Sequence, residues 1–163
     1  LTATVAVLNG PALGGGAELA LVCDVIIAAE TATLGFPEIN VGCFPPVAMA
    51  LLATRIGHHR AAEMILTGDT ITAARALEIG LVNRVAPAER LDSEVSALLA
   101  KLAEKSPAVL GLTARGVRKM WDFSFERALR EAERVYKEEL MKTPDMEEGI
   151  RAFIEKRKPK WKG

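Results

Sequence analysis

Two carboxylates and a run of glycines are the parts of this sequence that can do chemistry. Glu18 stands in the otherwise apolar stretch Ala17-Glu18-Leu19-Ala20-Leu21-Val22, and Glu38 stands in Phe36-Pro37-Glu38-Ile39. An ionised carboxylate among apolar neighbours is costly unless it is paired or used. Just ahead of Glu18 lies Gly14-Gly15-Gly16, which places Gly15 about one helical turn before the acid. A chain that passes from a strand through glycines into a helix leaves backbone N–H groups pointing outward, where the helix dipole also favours negative charge. Such a turn can hold a phosphate or a developing oxyanion. The same glycines also serve tight turns and close backbone packing, and a single Glu most often faces solvent or caps a helix. Two acids beside an anion-accepting turn point instead to general acid and base work next to an oxyanion site. The spacing is neither the GxGxxG of a dinucleotide fold nor the GK[ST] of a P-loop.

The elements that must position these groups read as α/β. Residues 4–8 are a short apolar run stopped by Asn9-Gly10-Pro11, which suits a buried parallel strand. A helix is expected over 17–22, a strand over 25–29 and a third strand over 32–35, so that strand, glycine turn, helix and strand form a crossover unit. Beyond Pro46 the pattern becomes helical, with helices expected over 47–56, 59–66 and 73–79. Thr72 is the N-cap and Gly80 the C-cap of the last. A short strand over 82–85 precedes Pro87, and helices are expected over 92–105, 107–121, 125–142 and 144–156. Ser106-Pro107 and Thr143-Pro144 are cap-plus-proline starts. Leu129, Ala132, Val135, Tyr136 and Leu140 fall on one helical face, which should pack against something. The change of pattern divides the chain into an α/β part, residues 1–90, and a helical part, residues 91–163.

Composition narrows the classes of function. The 163 residues carry 21 basic and 21 acidic side chains, for zero net charge, which argues against duplex nucleic acid as a partner of the whole chain. The basic end, residues 156–162, includes Trp161 and reads best as a solvated tail. Cys23 and Cys43 do not make a disulfide framework or a CxxC metal pair, which favours a reducing compartment, and Cys43 reads as a small buried hydrophobe. His58 and His59 lack a carboxylate or cysteine at ligand spacing, so no metal site is expected. Glu18 and Asp24, then Pro45 and Pro46, interrupt the apolar runs, and no membrane span is expected. The sequence begins with Leu1 rather than methionine, without the charged leader of a signal peptide.

Five ordered blocks carry a resemblance: Asn9-Gly10-Pro11-Ala12-Leu13-Gly14-Gly15-Gly16-Ala17-Glu18-Leu19-Ala20 followed by Cys23-Asp24; Leu34-Gly35-Phe36-Pro37-Glu38; Leu66-Thr67-Gly68-Asp69; Ala76-Leu77-Glu78-Ile79-Gly80-Leu81-Val82-Asn83; and the stretch from Glu148 to Arg157. The sequence resembles the crotonase, or enoyl-CoA hydratase/isomerase, superfamily, over what would be the C-terminal two thirds of a member. The resemblance implies a spiral of ββα units followed by a helical region that drives assembly into a homotrimer or a dimer of trimers. It also implies acyl-CoA thioester substrates with no resident cofactor, coenzyme A being part of the substrate, and a location in the cytoplasm or, in a eukaryote, the mitochondrial matrix. Carried over, the backbone N–H of Gly15 is one oxyanion donor, and such a donor is worth roughly 3 kcal/mol in comparable sites. Glu18 and Glu38 are the acid/base pair. Leu13, Gly14, Gly15, Pro37 and Phe44 are the expected substrate contacts, while Phe153 and Lys156 of the last helix approach CoA bound to an adjacent subunit. The family's second oxyanion donor is expected upstream of Leu1.

One segment departs from the family's hydratases. After the second acid they continue with a proline and a glycine-rich, polar run, whereas here the chain reads Gly42-Cys43-Phe44-Pro45-Pro46-Val47-Ala48-Met49. Pro46 stands where glycine is common, and the expected acyl pocket changes in shape and polarity. Hydration of a 2-enoyl-CoA is favoured because two acids are present. A double-bond isomerase or thioester hydrolase using the same enolate-stabilising site, and a non-catalytic oligomeric binding module, are the alternatives.

Overall fold

The computed structural model describes residues 2–161, with the side chains of all of these except residues 120–124. Two small sheets share one core. The first has the order β1 (Val5–Leu8), β3 (Val25–Ala29), β6 (Arg84–Ala86), all parallel, with Val5 opposite Val25 and Ala28 opposite Val85. The second pairs β2 (Ala12–Leu13) parallel to β4 (Thr33–Gly35), and β4 antiparallel to β5 (Thr70–Thr72). Helix α1 (Gly15–Leu21) makes the crossover from the first strands to β3, as the glycine turn and apolar runs imply.

Period-two alternation along β3 explains why both faces of the first sheet are covered. Ile26 and Ala28 join the main core with Leu8, Leu21 and Leu34, together with Leu51 and Leu52 of α2 (Pro46–Ile56). Ile27 and Ala29 point the other way, onto Leu91, Val95 and Leu98 of α5 (Leu91–Ala103). Helices α3 (His58–Thr67) and α4 (Ala73–Glu78) complete the α/β part. Thr72 caps α4 as expected, its hydroxyl accepting from Arg75 N–H at 3.2 Å. The strand expected from Val82 begins later, at Arg84. Asn83 still binds β3, accepting from Ile26 N–H through Oδ1 and donating its own N–H to the Ile26 carbonyl, each at 2.8 Å.

The two helices expected over 107–121 and 125–142 are one, α6 (Pro107–Glu138), because neither proline nor glycine interrupts the chain between them. Ser106 caps its start at 3.5 Å. Its apolar stripe buries Ala132 and half-buries Leu129, Val135 and Tyr136, and α6 packs along α2. Arg118 ties the helix to the first sheet, its Nε donating to Asp24 Oδ1 at 2.8 Å and one Nη to the Thr2 carbonyl at 2.8 Å. The guanidinium, with help from Thr4, holds the Asp24 carboxyl below the usual carboxylate range against the opposing effect of burial.

Helix α7 (Pro144–Ile154) is capped by Thr143 at 3.2 Å. It packs on a 3-10 turn, Pro37–Val41, and the approach is backbone to backbone. A Cβ on Gly149 would collide with the Val41 carbonyl group and lie 3.0 Å from Gly42 N. The tail does not simply trail into solvent. Arg157 grips Glu148 with both Nη atoms, at 2.6 and 2.9 Å, and Lys160 N–H donates to the same carboxyl at 2.8 Å. Led by Arg157, these partners lower the Glu148 carboxyl to about 2. Lys162 lies outside the described residues.

Gly149→Ala should lower stability by about 1–3 kcal/mol through overpacking. Gly116→Ala on α6, where nothing stands within 4 Å of the added Cβ, should be neutral or stabilising by up to about 1 kcal/mol. Calorimetric melts of the two variants check the contrast.

Candidate active site

The glycine turn opens as a helix start. Gly14, at φ 55° and ψ −128°, is the N-cap of α1, a backbone conformation that costs an L side chain dearly. Its N–H donates to the Gly35 carbonyl at 3.0 Å, which pins the turn to β4. Gly15 and Gly16 form the first turn of α1, where backbone N–H groups have no intrahelical acceptor. Nothing stands within 4 Å of where a Cβ on either would lie, so the approach to this backbone is open.

Glu38 meets this turn from the other side. It sits in the Pro37–Val41 turn directly after β4, and its Oε1 would lie 2.9 Å from a Cβ on Gly14. Gly14 is therefore required twice, for its positive φ and for the room it leaves the carboxyl. Glu38 Oε2 is buried and has no hydrogen-bond partner. Burial pushes the carboxyl above its ordinary value and the nearby Glu18 adds to the rise, a backbone hydrogen bond acting the other way.

Glu18 lies one turn into α1, and its Oε1 accepts from Val47 N–H at 2.8 Å and Ala48 N–H at 2.9 Å. These are the second and third residues of α2, whose first is Pro46. The positive end of α2 thus fixes one oxygen of Glu18. Sequence reasoning missed these donors, although Pro45-Pro46 ahead of an apolar helical run marks a helix start whose next N–H groups need an acceptor.

An open cleft of about 430 Å³ collects most of the expected residues: Leu13, Gly14, Gly15, Pro37, Glu38 and, from α7, Phe153, with Asn40 and Val41 added. Glu18 does not line this cleft, although it stands near enough to Glu38 to raise its carboxyl. Phe153 is 71% exposed and reaches the cleft of its own chain. Lys156 is exposed just past α7, at φ 52°, outside the cleft lining. Phe44 lies elsewhere, on an apolar cavity of about 380 Å³ with Ile39, Cys43, Leu140 and Trp161, its ring edge-on to Tyr136 at 5.2 Å between centroids. His58 and His59 are exposed and touch each other edge-on, and no group of metal-ligating side chains occurs among the described residues.

A parallel α/β core with a glycine turn facing a half-buried carboxyl, closed by C-terminal helices, agrees with the fold that the resemblance implies. The chain belongs to the enoyl-CoA hydratase/isomerase family, whose profile matches residues 2–163. It is 38% identical over 158 residues to a Dictyostelium discoideum protein named "Probable enoyl-CoA hydratase, mitochondrial", covering 96% of this chain and 57% of that protein. It is 37% identical over 160 residues to the 2,3-dehydroadipyl-CoA hydratase of Escherichia coli, covering 98% of this chain and 62% of the relative. Among solved structures, an enoyl-CoA hydratase from Mycobacterium avium subsp. paratuberculosis superposes with a TM-score of 0.90 at 34% identity, over 98% of this chain and 65% of that one. The chain thus spans about three fifths of the length of the curated relatives it matches.

The raised carboxyl of Glu38 has a consequence for stability. The folded chain keeps this proton to higher pH than the unfolded chain, so wild-type stability falls as pH rises through the ordinary 4.5 toward the folded value. Glu38→Gln has no charge to bury. It should melt higher than wild type at pH 7 and lose that advantage below about pH 4. Thermal melts of both proteins across this range test it, and an advantage independent of pH would contradict the assignment.

Proposed function

We propose that this chain supplies the acid/base groups of an enzyme that hydrates a 2-enoyl-CoA. The observation that carries the reading is the meeting of Gly15 and Glu38 in one open cleft, with Glu18 anchored at the start of α2 within electrostatic reach of Glu38. Glu38, whose carboxyl is raised, holds the proton, and Glu18, with Oε1 fixed on α2 and Oε2 left to act, takes a proton from water. The water oxygen bonds to Cβ of the enoyl thioester while the double-bond electrons move onto the carbonyl oxygen as an enolate. The N–H of Gly15 donates to that oxygen, and a donor already in place lowers the barrier because the new charge appears where it points. Glu38 then delivers its proton to Cα, and the carbonyl re-forms.

The substrate brings coenzyme A as its handle, and this reading needs no resident cofactor or metal. Phe153 and Leu13 give the cleft apolar walls for the acyl-CoA, with Pro37 between them. Residues 1–90 carry the acids and the glycine turn, and residues 91–163 the assembly surface of a homotrimer or dimer of trimers. Val109, Leu112, Val117, Ile150 and Ile154, all exposed, support that role. The compartment is the cytoplasm or, in a eukaryote, the mitochondrial matrix. One relative's name places that protein in mitochondria. No helix among the described residues is long and apolar enough to cross a membrane. Neither nucleic acid nor a membrane is a partner in this reading. Isomerase or thioester hydrolase chemistry would use the same enolate site, but the presence of two acids favours hydration.

In the full-length protein, Glu18→Gln and Glu38→Gln should each lower crotonyl-CoA hydration by at least about 100-fold, the usual contribution of a positioned acid or base, while acetoacetyl-CoA still binds. Near-normal turnover in either variant would sink the assignment, and binding without turnover by the wild type would favour the non-catalytic module.

A further inference from the structure

The turn that carries Glu38 is closed by a residue whose side chain is gripped from two other helices. Gly42, at φ 74° and ψ 20°, ends the Pro37–Val41 turn in the left-handed conformation, and Cys43 N–H reaches back to the Glu38 carbonyl at 3.0 Å. This six-to-one closure is a Schellman arrangement, which fixes the direction in which the turn's residues point. Cys43 Sγ accepts a hydrogen bond from the Tyr136 hydroxyl of α6 at 3.8 Å and lies 3.2 Å from Met146 Sδ of α7. Tyr136 is itself oriented by its edge-on contact with Phe44, the residue after Cys43. The phenol is half-buried, and burial first, then Cys43 and Glu38, disfavour its ionisation.

We propose that Tyr136 is a positioning residue for Glu38: by holding Cys43 Sγ from helix α6, it locks the closure of the turn that aims the Glu38 carboxyl into the cleft. The inference rests on the acid/base role proposed for Glu38. Tyr136 does not line the cleft, so it acts through Cys43 and not on substrate. The turn needs such a lock because Glu38 Oε2 has no hydrogen-bond partner and the backbone hydrogen bond of the carboxyl comes from Glu38 itself. Direction must therefore come from the backbone, and a carboxyl displaced by about 1 Å from its reacting atom loses much of its effect.

The test is steady-state hydration of crotonyl-CoA by the full-length protein carrying Tyr136→Phe, Cys43→Ala, Cys43→Ser or the Tyr136→Phe/Cys43→Ala pair. Phenylalanine keeps the edge contact with Phe44 and removes only the hydroxyl, and serine keeps an acceptor at position 43. Tyr136→Phe and Cys43→Ala should each lower kcat roughly five- to tenfold, the scale of one lost hydrogen bond, with KM within about twofold. The double variant should be no worse than either single one, since both break the same link, and Cys43→Ser should recover most of kcat. Acetoacetyl-CoA binding within about twofold of wild type verifies that each variant is folded. A Tyr136→Phe kcat within twofold of wild type overturns the role, as does a matching rise in KM or multiplying losses in the double variant. A variant that fails to bind acetoacetyl-CoA overturns it too, because the link would then be holding the fold. Wild-type protein that binds acetoacetyl-CoA but hydrates no enoyl-CoA overturns the acid/base reading itself.

Discussion

Two carboxyl groups held within electrostatic reach of each other, one of them in an open cleft, set the terms for the rest of this structure. Dehydration and the neighbouring Glu18 both work against ionisation of Glu38, so the surrounding elements must keep in place a group that would be better solvated elsewhere. They do it asymmetrically. Glu18 is anchored by two backbone donors at the start of α2. Glu38 has one oxygen buried without a partner and the other against the backbone of Gly14. One acid is anchored by backbone donors of another helix, the other by its own turn.

The C-terminal helices belong to this arrangement as much as to any assembly surface. Gly149 lets α7 lie against the carbonyl end of the Glu38 turn, and from that position Phe153 reaches the cleft. Arg118 fastens α6 to the start of the first sheet through Asp24. Further along the same helix, Tyr136 meets Cys43 just behind Glu38. A shift of α6 would thus be felt at both ends of the α/β part, since packed side chains transmit displacement rather than absorb it.

What could be read from the sequence followed from what leaves a residue-type signature. Strands β1 and β3 are visible because their runs are apolar throughout, β3 being buried on both faces, whereas β5 is invisible because two of its three residues are exposed threonines. Glu18, Glu38 and Gly15 stood out as costly or permissive residues in the wrong surroundings. The groups that hold them did not, because the donors at Val47 and Ala48 are backbone atoms common to every residue. Tyr136 looked like one more apolar position on a helix face, and only the tertiary path of α6 brings its hydroxyl to Cys43. Helices expected over 107–121 and 125–142 form the single α6, since no proline or glycine stands between them to break it.

Pro46, where the resemblance leads one to expect glycine, begins a helix whose next two N–H groups anchor Glu18. Proline at the first position of α2 fixes φ near the helical value and has no N–H to offer. With glycine there, the helix start would present a further donor and a more variable backbone to the Glu18 carboxylate. With proline, the donors facing Glu18 are those of Val47 and Ala48, and both converge on Oε1. The second oxygen is left unclaimed by that helix end. Proline at the first position thus leaves the hydrogen bonds of this helix start on a single oxygen of Glu18. The aliphatic residues after it serve the core instead, since Ala48, Leu51 and Leu52 are fully buried beneath the site.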